Sequence, residues 1–88
     1  MATKTTNKIQ NRPLYEIAYD IRKDWGKKVY FGAKPYLDAM ATLNSINDTY
    51  GWDSAESIVR YFLANASTWK GETAKTIKKE LKAMVGLK

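Results

Sequence analysis

Between Ala74 and Met84 the apolar residues Ala74, Ile77, Leu81 and Met84 recur at steps of three and four. A helix gathers that spacing onto one side, whereas a strand, with its period of two, scatters it over both. Trp69 and Val85 extend the apolar side, and Lys75, Lys78, Lys79 and Lys82 form a basic one. A helix of this length is marginal in isolation, so its apolar stripe demands other stripes to pack against.

The rest of the chain supplies them. Leu14, Ile17, Ala18, Ile21 and Trp25 follow the helical period after Pro13. Proline suits the first helical position, where its missing N–H would be unpaired anyway. Glu16 and Asp20 sit early and Arg22, Lys23 and Lys27 late, matching the helix dipole, and Gly26 marks the stop. A second helix is expected from Pro35 through Tyr36, Leu37, Met40 and Leu43 towards Ile46 or Asn47, followed by a frayed end and loop over residues 44–51. The stretch 27–34, with Val29, Tyr30 and Phe31, reads equally as a short extended segment or a helix start, and no partner strand is visible for it. A third helix carries Ile58, Val59, Phe62, Leu63 and Ala66; Asp53 with Glu56 resembles a capping box, and Ser54 is the competing cap. The fourth runs to about Val85, with Gly86 as its stop. Ser67 or Thr68 offers a cap; Gly71, unfavourable inside a helix, suggests a start at Gly71 or Glu72 with Trp69 in the turn.

With 88 residues the chain makes one domain with one modest core. The expectation is an all-α, single-domain bundle of about four short helices over residues 12–88, preceded by a flexible polar tail at 1–11. No apolar run reaches the ~20 residues of a membrane span, and the N-terminal segment has no signal-peptide core, so a cytoplasmic protein is expected.

Cysteine and histidine are both missing. Disulfides and thiolate metal sites are thereby excluded, together with the commonest general base and metal ligand. No phosphate-cradling glycine loop, calcium-loop spacing or spaced Ser–Lys pair replaces them, so neither catalysis nor a cofactor is expected. Binding is the remaining mode of action.

The net charge of +6 is unevenly spread. Residues 1–35 hold eight basic and three acidic groups, residues 36–66 one and four, and residues 67–88 six and two. A basic balance favours nucleic acid or an acidic protein as partner, through long-range attraction. Lys75, Lys78, Lys79 and Lys82, with Arg12, Lys27 and Lys28, are the expected cationic contacts; the competing reading is a solvated lysine face. Of the three tryptophans, Trp25 and Trp69 lie on apolar stripes and belong to the core. Trp52 follows Tyr50–Gly51 in a polar loop and is open between core and partner contact.

Several runs together carry a resemblance: Arg12-Pro-Leu-Tyr-Glu-Ile-Ala18, Arg22-Lys-Asp-Trp25, Tyr36-Leu-Asp-Ala-Met40, Tyr61-Phe-Leu-Ala-Asn-Ala-Ser-Thr-Trp69 and Gly71-Glu-Thr-Ala74. Over about residues 12–84 the chain resembles small accessory proteins of bacteriophages and integrating mobile elements. The resemblance implies a compact protein made inside a bacterium. Its implied partner is a nucleic acid or a host nucleoprotein, and defence systems such as CRISPR–Cas are the concrete example. It transfers no functional residues. Two other readings stand beside it: a helix-turn-helix regulator reading DNA with Thr73, Lys75, Thr76 and Lys79, and an assembly protein that self-associates through exposed aromatics.

Overall fold

The computed structural model describes residues 12–86. The expected tail at 1–11 and the last two residues lie outside the described residues.

Helix α1 spans Leu14–Trp25 and buries Leu14, Ile17, Ala18, Ile21 and Trp25. Pro13 stands one place earlier than the sequence suggests, at the cap, where its carbonyl accepts from the N–H groups of Glu16 (3.0 Å) and Ile17 (3.2 Å). The first free N–H groups of the helix, on Leu14 and Tyr15, donate to the carbonyls of Asn44 (3.0 Å) and Leu43 (2.9 Å). A distant loop thus does the work of a capping side chain, satisfying donors that would otherwise be orphaned. Gly26 ends the helix with a φ of +61°, and its N–H returns to the Arg22 carbonyl.

Residues 27–33 form neither a strand nor an α-helical turn, and Lys34 begins the next helix. Gly26–Lys28 forms a 3₁₀ turn, and a second turn is closed by Ala33 N–H to the Tyr30 carbonyl (2.9 Å). Helix α2, Lys34–Met40, buries Leu37, Ala39 and Met40 and ends short of Ile46. Asp48 explains the stop: its carboxylate accepts from the N–H groups of Asn44 (2.9 Å) and Ser45 (3.0 Å), a local alternative to helical pairing. Leu43, just past the helix, is still driven into the core.

The loop expected over 44–51 contains a strand, which corrects the purely helical expectation. Strands β1, Thr49–Tyr50, and β2, Asp53–Ser54, pair antiparallel, Thr49 with Ser54 and Tyr50 with Asp53. Gly51 opens the two-residue turn with a φ of +64°, a conformation that suits glycine. Two-residue strands leave no periodicity to read.

Helix α3, Ala55–Ala64, buries Ala55, Ile58, Val59 and Phe62. Ser54 is its cap, accepting from the Ser57 N–H at 3.1 Å, and Asp53 lies one place too early to cap a helix that starts at Ala55. The link 65–71 dips Ala66 and Trp69 into the core. Helix α4 spans Glu72–Met84 after Gly71, whose φ is +113°; neither Ser67 nor Thr68 caps it.

At the centre Trp25 and Trp69 stack with ring centroids 5.6 Å apart, and Phe62 meets both edge-on at 6.2 and 6.4 Å. This aromatic trio ties α1, α3 and the α3–α4 link into one core. Among the described residues every buried side-chain N or O atom has a hydrogen-bond partner.

Candidate binding surface

Helix α4 turns Ala74, Ile77 and Leu81 inward. At about 100° per residue, Lys75, Lys78, Lys79 and Lys82 fall on one flank of that stripe, and Thr73, Thr76 and Glu80 on the other. The two flanks have different surroundings.

The Glu80 flank faces α1. The Arg12 guanidinium donates from Nε to Glu80 Oε2 (3.0 Å), from Nη2 to Glu80 Oε1 (2.9 Å) and from Nη1 to Asp20 Oδ2 (2.6 Å). These bonds, that to Glu80 above all, hold its pKa above the ordinary arginine value against the opposing effect of burial. Arg12, expected as a cationic contact, is thus a clamp between the chain's two ends. Below it runs a groove of about 530 Å³ whose lining includes Asp20, Asp24, Glu72, Thr73 and Thr76. Among the described residues no group of three or more carboxylates is placed to hold a metal ion.

The lysine flank is mostly unengaged. Lys75, Lys79 and Lys82 are exposed. Lys78 is half-buried: its Nζ donates to the Trp69 carbonyl at 2.6 Å and lies 5.9 Å from the centroid of that indole. Burial, then the charges of Lys82 and Lys70, push its pKa below the usual lysine value. Among the described residues all four ion pairs use arginine: Arg12 with Asp20 and with Glu80, Arg22 with Asp38, and Arg60 with Glu56. No described lysine is in one.

Lys27 and Lys28 are exposed on the 3₁₀ turn. Lys28 shares a depression of about 470 Å³ with Asp24, Trp25, Thr68, Trp69 and Lys70. Lys70 therefore joins the basic surface, a residue that sequence reasoning missed. The available signal was its place between a buried tryptophan and a helix-starting glycine.

Trp52 is fully exposed, at 103% of its reference area, on the β1–β2 turn. The hairpin leads directly into α3, and Arg60 of α3 donates to the Val85 carbonyl at 2.9 Å. Arg60, midway along α3, thereby joins that helix to the end of α4. Phe31 is 76% exposed and touches Tyr30 at 4.9 Å between centroids, while Tyr36 meets Tyr61 at 5.5 Å. Phe31 and Tyr61, neither singled out in the sequence, are both exposed.

For the helix-turn-helix reading, the α3–α4 link of residues 65–71 is longer than the ~3–4-residue turn of that motif. Thr73 and Thr76, two of its four reading residues, line the acidic groove against α1.

No described helix is long and apolar enough to cross a membrane. No protein family's profile, curated protein or solved structure matches the chain.

Proposed function

We propose that this protein acts by binding, without catalysis, and that its partner is a nucleic acid or a nucleoprotein. The observation that carries the reading is the lysine flank of α4. Three exposed ammonium groups lie on one side of a helix, and among the described residues no carboxylate is in an ion pair with them. Uncompensated like charge is a cost that phosphates relieve, and neutralising phosphates releases their condensed counterions. Trp52, bare on the β1–β2 turn, adds an aromatic face that stacks on an unpaired base or packs on a protein. In the mobile-element setting that the sequence resembles, the partner is a host nucleoprotein, defence complexes such as CRISPR–Cas included, and the protein acts as an inhibitor by occupying a nucleic-acid surface.

The test is binding to random-sequence DNA, duplex and single-stranded, at about 50 and 200 mM salt. The control is the variant Lys75→Glu, Lys79→Glu, Lys82→Glu; Lys78 is left intact because it holds the Trp69 carbonyl. Tight binding that falls steeply with salt and is lost in the variant supports the reading. No binding at the lower salt rejects direct nucleic-acid contact.

A further inference from the structure

The depression between the 3₁₀ turn and the α3–α4 link has the make-up of an anion seat. Its floor is the stacked pair Trp25 and Trp69, both nearly fully buried, so its depth is fixed by the core. Lys28 from the 3₁₀ turn and Thr68 and Lys70 from the link line it. The one carboxylate in the lining, Asp24, accepts the Trp69 indole N–H at 2.8 Å and is held against the floor. Lys78, outside the lining, is tethered to the carbonyl of Trp69.

We propose that this depression seats a phosphate group. Lys28 and Lys70 supply charge from two sides and Thr68 a hydroxyl donor, and the lysine flank of α4 continues the path for neighbouring phosphates. The nucleic-acid source of that phosphate rests on the function proposed above; the seat itself rests on the cavity and its lining. A compact ammonium on a flexible stem suits a phosphate oxygen without demanding bidentate geometry.

Amide and indole NMR of the full chain tests both parts, because the three tryptophans give three separate indole N–H signals. Inorganic pyrophosphate is titrated first, then a short oligothymidine, each against the wild type and against Lys28→Gln with Lys70→Gln. Both lysines are exposed, so the variant keeps its fold. The expected result is a saturable pyrophosphate shift of the Trp69 indole and of the Lys28, Thr68 and Lys70 amides, with the Trp52 indole still. The oligonucleotide should reproduce those shifts, and the variant should lose them and bind it about tenfold or more weakly. An oligonucleotide that binds while Trp69, Lys28 and Lys70 stay still overturns the seat and leaves the proposed function standing. Pyrophosphate shifts without any oligonucleotide binding support the seat and overturn nucleic acid as its source. Silence from both ligands overturns the seat and, with it, direct contact with single-stranded nucleic acid.

Discussion

The two flanks of α4 are built on the same helix and meet the solvent very differently. On one, Glu80 is held by both arms of the Arg12 guanidinium, which also reaches Asp20 on α1. On the other, Lys75, Lys79 and Lys82 stand in solvent. The division follows side-chain chemistry. Arginine presents a planar fork that fits a carboxylate in a fixed geometry, and among the described residues every ion pair is made by one. Lysine keeps a hydrated point charge on a mobile stem. Among the described residues the ion pairs that join elements belong to arginine, and of the α4 lysines only Lys78 is engaged, at the Trp69 carbonyl.

Trp69 is where the flanks meet, its indole bonded to Asp24 of α1 and its carbonyl to Lys78. Trp69→Ala should therefore disrupt both, with a loss of about 3–5 kcal/mol in urea unfolding from the cavity alone. An intact oligonucleotide affinity in that variant would break the comparison, by showing that the lysine flank needs no scaffold. Arg12→Met should cost about 1–2 kcal/mol, since the clamp is only part-buried, and should change DNA affinity less than twofold. A large affinity loss would instead make Arg12 a contact residue. The converse substitution, Lys75→Gln with Lys79→Gln and Lys82→Gln, should move stability by less than about 0.5 kcal/mol while lowering the slope of log K against log salt by up to about three.

The smallest effect is expected at Lys78. Its folded pKa lies below the unfolded value, so between the two the unfolded chain binds more protons, and stability rises with pH across that window. Urea midpoints taken from pH 8 towards the unfolded lysine value of about 10.4 should show this rise, and Lys78→Met should flatten it.

The helices were legible because their stripes are long enough to show a period: Leu14, Ile17, Ala18, Ile21 and Trp25 appear in the core as spaced. Trp25 and Trp69 lie there too. What could not be read depended on partners remote in the chain. Pro13 sits at the cap because Leu43 and Asn44 supply carbonyls to the next residues. Ser54 caps α3 because the hairpin lets the helix begin only at Ala55, which leaves Ser54 and not Asp53 at the cap. The lysine stripe of α4 was visible, but the engagement of Lys78 depends on the path of the link, and Lys70 joins Lys28 only when the two turns fold side by side.

The Arg12 clamp also has a meaning in time. It joins residues 68 positions apart, whereas the α3–α4 hairpin joins near neighbours. Closing so large a loop is entropically the last contact a collapsing chain should make, after the hairpin and its aromatic centre have formed. Contacts absent from the folding barrier act on the way out. Arg12→Met should accordingly leave the refolding rate unchanged and speed unfolding, which makes the clamp a latch on the lifetime of the folded state.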